Sequence, residues 1–123
     1  MAALTVLDAG GRIVEVADPA EPGEMVRLCL RPEDVTLSPG RPETGASSAR
    51  NHLAGRVLRV AASGPYVRVI VDCGFPLVAL VTQRSVDALG LRDGTAVTAH
   101  FKATAAHLLR GRVSLDTRNP AGV

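Results

Sequence analysis

Apolar and polar residues alternate along most of this chain with the two-residue period of half-buried strands. In Glu24 to Leu30, Val26, Leu28 and Leu30 share one face, and Met25, Arg27 and Cys29 the other. The same pattern predicts short strands over Leu4 to Leu7 and Arg12 to Ala17, around the turn Asp8-Ala-Gly-Gly11. Arg31-Pro-Glu-Asp34 breaks the third strand, and Val35 to Leu37 resumes it briefly. Further on, Leu53 to Ala61 and Tyr66 to Cys73 flank Ala62-Ser-Gly-Pro65, the composition of a hairpin turn. Leu77 to Val81, Thr95 to Phe101, Ala105 to Leu109 and Arg112 to Leu115 complete the expected strands. Only one stretch changes period. From Thr82-Gln-Arg-Ser85 onward, Val86 and Leu89 recur at helical spacing, and Gly90 followed by Leu91 reads as a helix C-terminal cap.

Many short strands with one short helix predict an all-β fold, a small OB-like Greek-key barrel. At 123 residues the chain is one domain, or one small domain with an attached piece. Hydrophobic residues make up 46% of it with no Trp, one Tyr and two Phe, so aliphatic side chains must build the core. A formal net charge of +2 does not demand a nucleic acid or a membrane as partner. The longest apolar stretch, Val67 to Thr82, is interrupted by Arg68, Asp72, Gly74 and Pro76, which excludes a spanning helix there. Cys29 and Cys73 stand alone in apolar strand patterns without metal-ligand spacing, and are expected as buried, reduced thiols of a cytosolic protein. His52, His100 and His107 have no nucleophile or carboxylate at catalytic spacing and are expected as surface or strand histidines. No catalytic residue, no metal ligand and no GxxxxGK[ST] phosphate loop is found, so a binding domain is expected in place of an enzyme.

Three segments carry donors without a carboxylate inside them: Ser48-Ala-Arg-Asn51, Val81-Thr-Gln-Arg-Ser85 and Phe101-Lys-Ala-Thr104. Each lies at a strand edge. Thr82 and Ser85 also stand at a helix start, where orphan N–H groups favour an anion, although both are ordinary N-capping residues. Arg50 taken alone is a solvated loop charge, and Lys102 a strand-edge lysine.

The order of the pieces is more specific than their chemistry. "SARN" at 48–51, "ALVTQRS" at 79–85, "LGL" at 89–91 and "VTAHFKAT" at 97–104 resemble the Mop/TOBE molybdate- and tungstate-binding module, over about residues 47 to 110. The resemblance implies an OB-like fold holding the oxyanion between two subunits. Ser48 and Arg50 would contact the anion, with Lys102 and the backbone of Ala103 from the same subunit and Thr82 and Ser85 from the partner. Some relatives carry a serine where this chain has Ala103, which leaves only a main-chain N–H there. The implied ligand suits the donors. Molybdate and tungstate are tetrahedral dianions that only accept hydrogen bonds near neutral pH, and Arg50 and Lys102 match their charge. Hydrogen bonds to charged groups contribute about 1.5–3 kcal/mol each. Sulfate, with shorter bonds, reaches the same donors less well.

A second resemblance covers the first part of the chain. "VRLCLRPEDVTLSP", Val26 to Pro39, is similar to the strand–Arg-Pro-Glu–strand segment in the C-terminal regulatory region of ABC importer ATPases. The expected organisation is therefore N-terminal strands over 1–46, the oxyanion-binding module over 47–117 and a tail over 118–123. The function implied is a cytoplasmic regulatory domain of a molybdate/tungstate importer ATP-binding subunit, a homodimer or higher oligomer with shared oxyanion sites. Its parent ATPase and permease would sit at the inner face of the cell membrane. The alternative is a stand-alone molybdate/tungstate storage protein like the molbindins. An OB-fold nucleic-acid binder is disfavoured, because Tyr66, Phe75 and Phe101 are too few to form a stacking platform.

Overall fold

In the computed structural model, the described residues are 5–41 and 49–110, arranged as nine strands and one α-helix. Strand β1 (Thr5–Ala9) and β2 (Arg12–Val16) form a two-stranded antiparallel hairpin. Strand β3 (Val26–Leu30) is followed by a single 3-10 turn over Pro32–Asp34, where a proline in the first turn supports helical φ and removes a ladder donor. Strands β4 (Thr36–Pro39), β5 (Asn51–Ser63), β6 (Tyr66–Asp72) and β7 (Pro76–Val81) come next. Helix α1 (Gln83–Leu89), β8 (Ala96–Phe101) and β9 (Ala106–Arg110) complete the order. The strand expected over Arg112 to Leu115 lies outside the described residues, as does Ser48.

All pairings are antiparallel. The main sheet runs β4-β8-β5-β6-β7, while β3 pairs with β9 in a second ladder. A meander thus gives β5-β6-β7, and a helix-bearing connection carries the chain back to β8 on the other side of β5. Strand β4 then lies outside β8, so the chain order differs from the spatial order as in a Greek key. Both β3 and β4 come from the first 46 residues and pair with strands that follow the helix.

Strand β5 serves two partners because it bends. Its first half, Asn51 to Arg56, pairs with β8, and its second half, Arg56 to Ser63, pairs with β6 through a register shift between Val57 and Arg59. Gly55 sits at the bend. A Cβ there would lie 2.5 Å from the Asp72 carbonyl oxygen and 2.8 Å from Val71 Cγ1, so any side chain would push the strands apart.

The core is aliphatic, as the composition requires. Val14, Val16, Val69, Val71 and Ala99 are fully buried, Phe101 adds a buried ring, and the partly buried Phe75 packs against them. Burying each such side chain contributes about 1.5–3 kcal/mol. Strand β6 alternates cleanly, with Val67, Val69 and Val71 inward and Tyr66, Arg68 and Asp72 outward. One expectation needs correction. Cys73 is buried, but Cys29 is only half-buried, because β3 belongs to a two-stranded ladder that leaves it partly uncovered. Burial pushes the Cys73 thiol up and keeps it protonated, and the thiol donates to the Phe75 carbonyl at 3.4 Å.

Helix α1 begins and ends as its sequence dictates. The Thr82 hydroxyl accepts from the Ser85 N–H at 3.1 Å, and Gly90 adopts the left-handed conformation with φ 62°. The Leu91 N–H then reaches back to the Val86 carbonyl at 3.0 Å, and Leu91 and Val86 are both buried.

Candidate functional site

Three of the expected site residues converge where β5 begins and β8 ends. The register pairs Asn51 with Phe101 and His52 with His100, so one further step sets Arg50 opposite Lys102. Alternation turns Asn51 and Phe101 inward, where both are buried, and leaves Arg50 and Lys102 exposed. Lys102 is the N-cap residue of a second 3-10 turn, Ala103–Ala105, and its carbonyl accepts from the Ala105 N–H at 3.0 Å. Its ammonium makes no ion pair among the described residues. Ala103 is buried, and its carbonyl accepts from the Ala17 N–H at 3.0 Å, which ties the turn to the end of β2.

Asn51 does work that its place in a ligand motif hides. Its Oδ1 accepts from the Glu15 N–H and its Nδ2 donates to the Glu15 carbonyl, both at 2.8 Å. With only 3% of its surface exposed, it clamps β2 to β5 and starts that strand two residues earlier than the apolar pattern predicts. The clamp brings the Glu15 side chain to Arg50, whose Nε donates to Glu15 Oε1 at 3.2 Å. The donor segments hold no acid of their own, but the fold supplies one from a strand 35 residues away. Arg50 and Lys102 together with Glu15 carry one net positive charge.

The same outer face carries a feature that the sequence reading missed. His52 Nδ1 and His100 Nδ1 lie 2.6 Å apart, with the rings edge to face, and His100 Nε2 lies 2.6 Å from Ser38 Oγ on β4. Burial first, and then the neighbouring His52, push the His100 pKa below the ordinary histidine value. Strand alternation places His52 on the face of Arg50, and His100 on that of Lys102. Reading the β5–β8 register would have revealed this cluster.

Thr82 and Ser85 are not part of it. Thr82 follows β7, whose Val81 pairs with Val67 and through it with Ala62, at the opposite end of β5 from Asn51. Their hydroxyls lie 3.1 Å apart and serve the helix cap. Within one chain the site residues form two groups. Arg50, Lys102 and Ala103 come together, Thr82 and Ser85 stay apart from them, and Ser48 is outside the described residues.

An apolar concavity lies elsewhere. A groove of about 1240 Å³ runs between the 19–25 loop and β7, lined by Pro22, Met25, Leu28, Phe75 and Leu77 with Arg68 as its one cation. Its apolar lining does not suit a small dianion. Among the described residues no group of three or more His, Cys, Asp or Glu side chains could hold a metal ion, and no helix is long and apolar enough to cross a membrane.

Comparison with known proteins places these features in context. The family model for the TOBE domain matches residues 47–108. The molybdate/tungstate import ATP-binding protein WtpC of Pyrococcus horikoshii is 38% identical over 106 residues, covering 81% of this chain and 30% of that protein. The molybdenum import ATP-binding protein ModC of Rhizobium meliloti is 42% identical over 107 residues, covering 83% of this chain and 29% of its own length. The chain therefore spans under a third of the length of these relatives. Among solved structures, the cytoplasmic molybdate-binding protein ModG, crystallised with molybdate bound, superposes with a TM-score of 0.61 at 27% identity. That match covers 70% of this chain and 62% of ModG. The likeness supports the OB-like, Mop-type architecture expected from the strand pattern.

Proposed function

The chain belongs to the TOBE-domain family, and on that premise we propose that it is the oxyanion-binding regulatory part of a molybdate/tungstate importer's ATP-binding subunit. The observation that carries the reading is the opposition of Arg50 and Lys102 beside Ala103, at the end of β5 and β8 within the matched module. The names of the relatives WtpC and ModC supply the ligand class and the importer context.

In this reading the domain binds and does not catalyse. Arg50 and Lys102 give charge and N–H donors to the oxyanion, Ser48 adds a hydroxyl, and Ala103 offers its main-chain N–H. Thr82 and Ser85 come from a second copy, because their own chain holds them at the other end of β5. An oxyanion bridging two copies stabilises one arrangement of the pair, and so biases an attached ATPase inside the cell by differential affinity. A stand-alone cytoplasmic store for the anion is the second reading, favoured by the likeness to ModG. Continuity of this reading frame with an ATPase domain separates the two.

Calorimetric titration with molybdate, tungstate, sulfate and phosphate, run beside sedimentation, tests the proposal. Molybdate and tungstate should bind a dimer or larger oligomer, with sulfate and phosphate much weaker. Equal binding of all four anions, or full affinity in a strict monomer, would refute the shared selective site.

A further inference from the structure

The Arg50–Lys102 pair does not match a dianion in charge once Glu15 is counted, because the Glu15 carboxylate already occupies one Arg50 N–H. The outer face of the same two strands offers what is missing. We propose that His52 is a further oxyanion-contacting residue, its Nε2–H presented to the ligand and held by a hydrogen-bonded chain through His100 to Ser38. The proposal rests on the oxyanion reading above and adds to it a residue that the family resemblance does not supply.

Geometry carries the inference. His52 Nδ1 is engaged by His100 Nδ1 and His100 Nε2 by Ser38 Oγ, whereas His52 Nε2 has no hydrogen-bond partner among the described residues. His52 stands two positions from Arg50, and His100 two from Lys102, so all four side chains leave the same face of the β5–β8 pair. Two proton arrangements satisfy the neutral chain. In one, Ser38 donates to His100 Nε2, His100 Nδ1–H donates to His52 Nδ1, and His52 Nε2–H points onward as a donor. In the other, every bond runs the opposite way and His52 Nε2 is a bare acceptor. An unprotonated oxyanion only accepts, so it selects the first arrangement. A phosphate carrying a proton meets either arrangement, so this contact by itself does not discriminate against phosphate. These donors meet the anion's oxygens, not its metal.

A proton added to the pair also makes His52 Nε2 a donor, and supplies the second positive charge. Among the described residues, the other polar and charged groups beside the pair are Ser38 and Thr36 from β4, Arg50 from β5, Lys102 beyond β8, and Glu15 reaching Arg50 from β2. Among these Glu15 is the only carboxylate. Because burial, and then His52, hold the His100 pKa below its ordinary value near 6.5, oxyanion affinity should rise as the pH falls from about 8 to below about 6.5, with most of the rise at the acid end.

The test is calorimetric titration of the whole chain with molybdate and tungstate across that range, using His52→Phe, His52→Gln, Ser38→Ala and Arg50→Ala. His52→Phe should weaken binding about tenfold, the loss of one hydrogen bond to a charged group. His52→Gln retains a donor, so it should restore most of the affinity near pH 8 while flattening the pH profile. Ser38→Ala should cost a smaller factor, because it loosens the chain without removing the donor. Imidazole ¹⁵N spectra of the wild type should show Nε2–H of His52 fixed by molybdate, and this readout does not depend on any variant folding. If Arg50→Ala abolishes binding while His52→Phe and the ¹⁵N spectra show no response, the His52 proposal is overturned and the oxyanion reading stands. If the wild type does not bind these anions, both are overturned.

Discussion

The two ends of β5 treat their polar groups differently. At the helix end, Thr82 donates its hydroxyl proton to Ser85 Oγ and accepts from the Ser85 N–H, which leaves the Ser85 O–H as the donor available to a ligand. At the strand end, Arg50 spends one N–H on Glu15, Lys102 spends none, and His52 keeps one ring nitrogen without a protein partner. Residues with equally plausible donor chemistry thus have unequal free capacity. The helix end keeps a single hydroxyl donor to spare, whereas the strand end holds several surplus donors and surplus charge. An anion should draw most of its binding energy from the strand end, with the helix end of a second copy closing over it.

Removing charge from the strand end is the most direct way to break this contrast. Arg50→Ala should weaken molybdate binding by about 2–5 kcal/mol, the cost of deleting one member of a desolvated charge pair. Lys102→Ala should act similarly, while Arg84→Ala, on the exposed face of α1, should change little. Titration calorimetry reads all three. A dominant effect at Arg84 would invert the comparison.

Asn51 separates scaffold from ligand chemistry at the same end. Asn51→Ala leaves the Glu15 N–H and carbonyl without partners in a buried seam, which should destabilise the fold by about 2–3 kcal/mol. Urea denaturation of the unliganded protein measures this. Arg50→Ala, by contrast, removes only an exposed ion pair and should leave unliganded stability within about 1 kcal/mol.

Two smaller effects sharpen the picture from opposite sides. Glu15→Gln keeps the backbone contacts to Asn51 but removes the carboxylate beside Arg50, and should tighten oxyanion binding by about 1 kcal/mol. Thr82→Ala should lower stability by about 1 kcal/mol through the lost cap, whatever it does to binding. A stabilising Thr82→Ala would mean that its hydroxyl is reserved for something other than the helix.

These contrasts also mark what was legible in the residues. The order of strands, the helix with its cap at Thr82 and its stop at Gly90, and the aliphatic core all follow from local periodicity and turn chemistry, which adjacent residues encode. Arg50 and Lys102 were found by their motif, but Glu15 was not, because only the Asn51 clamp brings a strand 35 residues distant against it. The His52–His100 contact spans 48 positions and depends on the β5–β8 register, which neither residue announces.

The smallest expected effect isolates the strand end by its protons. Burial, and then His52, lower the His100 pKa below the ordinary value near 6.5 that it has when unfolded. As the pH falls through that value, the unfolded chain takes up a proton that the folded His100 still refuses, so protons favour unfolding. Unliganded stability should therefore be highest above about pH 6.5 and decline below it, until the folded His100 also protonates. Because the imidazole is only partly buried, the slope should be shallow. Melting temperature measured from about pH 8 to about pH 5 reads it, with His100→Gln flattening the upper part of the decline, above the pH at which carboxylates begin to titrate. Thr82→Ala should instead lower the curve by a constant amount at every pH, since the cap contains no titrating group. A slope that persists unchanged in His100→Gln would remove His100 as the group that distinguishes the two ends.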